Sequence, residues 1–562
     1  MKFSKLTVAI AATLGTSFAF DAIAMDLYVD TKTKQIYAEP GRGRVLMGAF
    51  EKVAEAPSHS LSAPAAPLAT KAEVAAIREE LDLKNNEIKA LSEFAAEANG
   101  PESAHVSLKD GIHFATKDGN FSAGINGRLQ VDSQVNNQSF ATPTNGYTNI
   151  TAAGLPAGLN DGAALRRGRI GVEGTFFKKT DYKFEYDFTR GNGLNAGGIT
   201  DAYMRYNVSK PFSVKIGAFK EPFSLEEATS NRYITFIERN MSVNTFVDNL
   251  NTYKLGIGAN YATDRWQIGS SLQTEGVGGY NAYGNNSLTS STGSAINTNG
   301  GVNRNGGGGD TSWEVNTRVS GVPWMASKTK FLHMGASGSF ININNNYTQG
   351  GTYSNGGVIF ANGLGGNVDR SSILTTGNLT STGNKNLSTA RQANNLTRFG
   401  AESAVVYGPF SAQSEYIQTN VSGEGYDNAV LQGAYGYMTY FLTGESRNYK
   451  AKTAAWDRIK PNRNFDMKGG LGAWELVAGY DWMNLNSGGV MGGAAAVAKG
   501  GFNWYPHSHL KVMANYLHPM SIDTANQTTN VATGASVPNT TQGQAFNGAS
   551  LDMFETRFQV DW

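Results

Sequence analysis

The stretch FETRFQVDW, residues 554–562, puts Phe554, Thr556, Phe558, Val560 and Trp562 on one parity and Glu555, Arg557, Gln559 and Asp561 on the other. A β-strand turns successive side chains to opposite faces, so this segment is apolar on one side and aqueous on the other. A soluble domain ordinarily trails off in a frayed polar tail. An alternating strand that ends on tryptophan instead reads as the last stave of a barrel closed within a bilayer.

The same alternation recurs upstream. In DYKFEYDF (181–188), Tyr182, Phe184, Tyr186 and Phe188 oppose Lys183, Glu185 and Asp187; in DAYMRYNV (201–208), Ala202, Met204, Tyr206 and Val208 oppose Asp201, Arg205 and Asn207. One such strand would suit a soluble sandwich, so recurrence decides the matter. Comparable segments fall at 121–134, 165–177, 181–189, 200–208, 212–219, 252–262, 265–274 and 311–320. Eight more fall at 330–342, 397–407, 411–420, 428–442, 470–482, 495–504, 508–517 and 551–562, for about sixteen strands. An even number returns both ends to one side of the membrane. Tight turns such as FKKTD (177–181) and YATDRW (261–266) alternate with long Asn/Gly/Ser-rich stretches at 135–163, 276–310, 344–396 and 521–549. Short turns on one side and long loops on the other are the pattern of an outer-membrane barrel.

Facing follows from cost. An arginine or lysine turned to lipid at mid-membrane costs about 2–4 kcal/mol, so the charged parity must line the interior. A ring of about sixteen strands lined with charge is expected to be too wide and wet to pack as a core, which makes it a water-filled channel.

Composition agrees. Lys2 and Lys5 precede the apolar run LTVAIAATLG (6–15), and Ala22-Ile23-Ala24 is an A-x-A cleavage site, so residues 1–24 read as a signal peptide. No later apolar run is long enough for a spanning helix. The chain has no cysteine, which excludes disulfides, thiolate metal sites and cysteine nucleophiles. Its 47 basic and 46 acidic residues argue against a nucleic-acid partner, and 11% aromatic content argues against soluble disorder.

Residues 25–68 read as an N-terminal periplasmic segment and Pro/Ala/Ser linker. Residues 69–99 change period: Val74, Ile77, Leu81, Ile88, Leu91 and Ala95 fill heptad a and d positions, with Lys84 interrupting at one d. That predicts a short coiled-coil helix of about four heptads, though an amphipathic helix packed on its own chain has the same pattern. The barrel occupies 104–562.

The densest basic cluster on a strand is ALRRGRIGVEG (164–174). Arg167 and Arg169 share a parity with Glu173, opposite Ile170 and Val172, and Arg166 precedes them at the strand start. Guanidiniums at a constriction would attract anions and bind oxyanions through their planar fork. The same spacing equally fits a ladder of charges that balances acidic neighbours across the lumen. Arg128 in NGRLQVD (126–132) is another lumen candidate. GAFKEPFSLEEATSNRYITFIERN (217–240) reads as a strand leading into a helical turn, with Ser224 and Glu227 at capping-box spacing. Glu226 and Glu227 are then ordinary helix-start acids, or the segment folds inward and narrows the lumen. His507 and His509 lack a third ligand at metal spacing, and no nucleophile-elbow, zincin or P-loop pattern occurs, so neither catalysis, metal nor cofactor is expected.

The segments GRLQVD (127–132), RRGRIGVEGTFFKKTDYKFEYDF (166–188), TDAYMRY (200–206), FKEPFSLEEATSN (219–231), FIERN (236–240), YFLTGESRNYK (440–450), IKP (459–461) and GAWEL (472–476) resemble the phosphate-selective porin O and P family in the family's order. The resemblance implies a sixteen-stranded, homotrimeric outer-membrane porin whose loop-narrowed eyelet passes anions. It places eyelet arginines at Arg128, Arg166 and Arg167, an eyelet aspartate at Asp201 and a further basic position at Arg239. Where the family carries a central lysine after Leu-Glu, this chain has Glu227, and the family's arginine-studded loop corresponds to FANGLGGNVDRSSIL (360–374), with Arg370 alone. A carboxylate beside arginines neutralises part of their field, so the expectation is a general or weakly anion-preferring channel for small hydrophilic solutes, without phosphate selectivity. A rival reading is a structural envelope tether, with a periplasmic coil and the barrel as its anchor.

Overall fold

The computed structural model describes residues 24–30, 36–37, 44–51, 71–98 and 104–108, and residues 111–562 apart from 141–157, 190–197, 249–252, 277–294, 297–311, 344–345, 348–352, 356–357, 381–390, 427 and 528–541. The first eight barrel strands are β1 (Phe121–Ser139), β2 (Gly162–Phe176), β3 (Thr180–Asp187), β4 (Gly198–Asn207), β5 (Phe212–Phe219), β6 (Lys254–Ala262), β7 (Trp266–Gly276) and β8 (Trp313–Ser327). The second eight are β9 (Lys330–Asn342), β10 (Gln392–Tyr407), β11 (Phe410–Glu424), β12 (Ala429–Phe441), β13 (Ala473–Ser487), β14 (Val490–His507), β15 (Leu510–Asp523) and β16 (Ser550–Asp561). Each pairs antiparallel with the next, and β16 closes on β1 from Ser550↔Ser139 to Asp561↔Arg128. All sixteen segments expected from alternation are strands of this barrel. A hairpin of Ala104–Ser107 and Ile112–Thr116 extends the sheet beside the start of β1.

Closure depends on a missing side chain. The backbones of Gly127 and Trp562 exchange hydrogen bonds of 3.1 and 3.2 Å. The Trp562 indole lies across Gly127, and a Cβ there would meet the ring at 2.1 Å. The terminal aromatic therefore seats against a glycine of the first strand, and the seam joins without displacement.

Outward positions are apolar and exposed: Leu129 and Val131 on β1, Ile170 and Val172 on β2, Ile216 on β5, and Phe554 and Phe558 on β16. Exposed Tyr206, Tyr261, Trp266, Trp324, Tyr407, Tyr440 and Trp562 adjoin the short turns, where an amphipathic ring meets the membrane–water boundary. Inward positions on β16 alternate with them, and Glu555, Arg557, Gln559 and Asp561 are all buried.

Two expectations need correcting. The interior is not wet throughout. Towards the long-loop end, inward Leu396, Val421, Leu431, Leu485, Leu517 and Leu551 pack on Phe236, Met241 and Phe246 of the 220–253 connector and on Phe360, Leu364 and Leu374 of the 343–391 connector. These wall residues share the parity of the charged ones, and inserted loops can only be buried against apolar wall. The alternation of connectors is also imperfect. Connectors 425–428 and 488–489 are short on the long-loop end, whereas 442–472 is long on the short-turn end and carries its own hairpin of Asn448–Lys450 and Ala455–Asp457.

Upstream, Ala24–Asp30, Ile36–Tyr37 and Arg44–Glu51 form a three-stranded sheet, and Lys71–Ala98 is an α-helix within the span expected to be helical. Its Ile77, Leu81, Ile88 and Leu91 are exposed. Residues 1–23 of the expected signal peptide and the Pro/Ala/Ser linker, 56–69, lie outside the described residues.

Candidate functional site

The 220–253 connector enters the barrel rather than covering it, which decides between the two readings of GAFKEPFSLEEATSN. Ser224, at φ 65°, turns the chain inward, and its hydroxyl accepts the Glu227 backbone N–H at 3.2 Å, capping a one-turn helix, Leu225–Ala228. The capping box is half made, because the Glu227 side chain goes elsewhere. Glu415 of β11 accepts the backbone N–H groups of Leu225 at 3.2 Å and Glu226 at 2.8 Å, and Asp481 of β13 accepts that of Met241 at 2.9 Å. Wall carboxylates thus hold both helical turns by their N-termini, where orphan donors and the helix dipole favour negative charge.

Five predicted arginines converge where this loop crosses β1, β2 and β3. Arg166 is out of phase with Arg167 by strand parity, yet both face inward. The register between β1 and β2 shifts so that Gln130 pairs with Arg167 and Val131 with Leu165, leaving Arg166 as the extra residue of a β-bulge. The bulge turns consecutive arginines into one space. Arg166 makes a two-pronged contact with Glu238 of the loop at 2.7 and 3.0 Å, and Arg167 donates to Gln130 at 2.9 Å and lies 3.7 Å from Glu238. Arg128 pairs with Glu185 at 2.7 Å; Arg169 pairs with Asp187 at 2.7 Å and Glu185 at 2.9 Å and donates to the Tyr253 hydroxyl at 3.0 Å. Arg239 of the loop lies 3.0 Å from Glu227 and 3.1 Å from Asp248.

Every predicted arginine therefore has a carboxylate oxygen within 4 Å. The arrangement is the charge ladder: each guanidinium has a carboxylate within ion-pair distance, Arg167 at the longest, 3.7 Å. Burial opposes ionisation of Glu238, but Arg166, Arg167 and Arg557 outweigh it and hold the carboxyl well below the usual carboxylate range. Burial pushes the Glu227 carboxyl up to about 7 against the pull of Arg239 and of Lys220, whose ammonium is 2.6 Å away. Asp201 stands apart from the arginines, paired with Lys183 at 2.7 Å on the short-turn side.

Sequence reasoning missed Glu238, Glu185 and Arg557. Arg557 was on the aqueous parity of the opening stretch and here bridges Asp132 at 2.6 Å and Glu238 at 2.9 Å. Glu238 adjoins Arg239 within FIERN, but only the inward path of the loop brings it to β2. The 442–472 connector was missed as well. It enters from the short-turn end, so that Trp456 packs with Leu225 and Phe331, and the Ala454 carbonyl accepts from Arg318 at 2.8 Å. Between the two inserts lies a cavity of about 310 Å³, reached by Arg128, Lys183, Asp201, Arg205, Lys215, Lys220, Glu227 and Lys452.

The family model described as phosphate-selective porin O and P matches residues 146–545. Porin O of Pseudomonas aeruginosa is 28% identical over 429 residues, 73% of this chain and 86% of that protein. An uncharacterised protein of Caulobacter vibrioides is 25% identical over 457 residues, covering 81% and 78%. Among solved structures, OprB of Pseudomonas putida aligns over 79% of this chain and 95% of its own at 8% identity, with a TM-score of 0.44.

Proposed function

Because this chain belongs to the phosphate-selective porin O and P family, and is an outer-membrane porin that forms a water-filled diffusion channel, we infer that its pore prefers anions weakly and is not phosphate-selective. The observation carrying this reading is the pairing of every predicted eyelet arginine with a carboxylate of the same chain. A guanidinium whose charge a carboxylate already balances attracts an oxyanion less, and the carboxylates repel a dianion more than a monoanion. Cations still outnumber carboxylates around the cavity, which supports a modest bias toward anions. Arg128, Arg166, Arg167, Arg169, Asp201, Glu227 and Arg239 are the proposed constriction residues.

The test is the reversal potential in planar bilayers under a KCl gradient. A potential on the chloride side, with chloride current insensitive to micromolar phosphate, is expected. A potassium-side potential, or block by micromolar phosphate, would refute one half or the other. The proposal extends to a homotrimer joined in part through Ile77, Leu81, Ile88 and Leu91 of the periplasmic helix, which stand exposed in one copy. Deleting residues 25–98 should leave conductance intact while loosening the trimer; a deletion that detaches the envelope would favour the tether.

A further inference from the structure

The cavity between the two inserts is built differently from the arginine crossing above it. Most of its charges are matched: Lys183 with Asp201 at 2.7 Å, Arg205 with Asp181 at 2.6 Å, Lys220 with Glu227 at 2.6 Å. Lys215 of β5 and Lys452 of the 442–472 connector make no ion pair among the described residues. The Lys215 ammonium sits 4.4 Å from the Tyr203 ring centre and 4.9 Å from that of Phe219. Ring faces hold such a cation without neutralising its charge, so it keeps donors for a ligand. Pro222 and Ala228 of the inserted loop contribute apolar surface to the same cavity. Its volume of about 310 Å³ suits a small organic molecule.

Of the two unmatched ammoniums Lys452 is exposed, whereas Lys215, half-buried beside apolar wall with Asp201, Glu221 and Glu227 lining the same space, discriminates by charge. A dianion would need several free donors and would meet the repulsion of those carboxylates twice over. A monoanion with an apolar body needs one ammonium and gains from leaving water. We propose that this chamber is a selection site for organic monocarboxylates, with the carboxylate on Lys215 and the apolar body against Pro222 and Ala228. The proposal rests on the anion-preferring reading of the pore and adds to it the substrate class and the residue that recognises it.

The experiment measures chloride current through the full-length protein in planar bilayers while benzoate, acetate or phosphate is added. Benzoate is expected to reduce the current at lower concentration than acetate or phosphate. Lys215→Gln should raise the half-blocking concentration of benzoate about tenfold, the loss of one hydrogen bond to a charged group. Lys215→Arg, which keeps the charge, should restore block, and a heat-modifiable band shows that each variant is folded. Phosphate blocking as well as benzoate, or Lys215→Gln leaving benzoate block unchanged, overturns the proposal. A potassium-side reversal potential in the unmodified protein would instead remove the anion preference itself, so the two failures are told apart.

Discussion

Glu238→Gln isolates the effect of self-neutralisation at the arginine crossing. The Glu238 carboxylate meets Arg166 at 2.7 Å and Arg557 at 2.9 Å and lies 3.7 Å from Arg167. The amide keeps the shape and one acceptor oxygen but removes one negative charge. Arg557 retains Asp132 at 2.6 Å, so the positive charge released falls mainly on Arg166 and Arg167. An ion passing about 7 Å away in water feels that added charge by about 0.6 kcal/mol, roughly halved by 0.1 M salt. The term attracts chloride and repels potassium equally, so the anion-to-cation permeability ratio should rise about three- to sevenfold. Removing one partner of a buried pair costs about 3–5 kcal/mol in a dry core and less beside water, so heat-modifiability must be checked alongside. A folded variant whose ratio is unchanged would show that Glu238 does not act on the ion path, and a fall in the ratio would contradict the electrostatics outright.

Because the Glu227 carboxyl is pushed up to about 7, it loses its negative charge as pH falls from 8 to 6, and anion preference should rise over that interval. Glu227→Gln should abolish the pH dependence at the high-preference end; a variant that still titrates would assign it elsewhere. Phe558→Arg on the lipid face should destabilise the barrel by about 2–4 kcal/mol, read as a lower urea midpoint for refolding into vesicles, and an unchanged midpoint would mean the face is not in hydrocarbon. Glu415→Ala leaves the Leu225 and Glu226 N–H groups without their acceptor, at a cost of about 1–3 kcal/mol to the loop anchor. Open-channel current noise should increase, whereas a quiet channel would show that other contacts suffice.

The strands were legible because hydrocarbon and water act on alternate residues of the same segment, a constraint that leaves its period in the sequence. Arg167 and Arg169 could be turned inward on that basis alone. Arg166 could not, because its inward path depends on a bulge set by pairing with β1, which a single strand does not record. Nor could the partners be seen: Glu238 reaches Arg166 from 72 residues away along a loop whose course is set by Glu415 and Asp481 on distant strands. The apolar inward residues near the long-loop end, such as Leu396 and Leu551, shared the parity that charge had marked as wet, and only the inserted loops explain them. The length of the 442–472 connector breaks the alternation of turn lengths, and that departure is the one mark the second insert leaves in the sequence.

The most direct test of the barrel's two-solvent wall uses neighbouring residues of β5 in a chain that has no native cysteine. Lys215 lines the cavity and Ile216 is 62% exposed on the opposite face. A charged, membrane-impermeant thiol reagent should alter the current through Lys215→Cys channels and leave Ile216→Cys channels untouched. Rapid reaction at Ile216→Cys, with Lys215→Cys silent, would contradict the assignment of water to the inside and lipid to the outside.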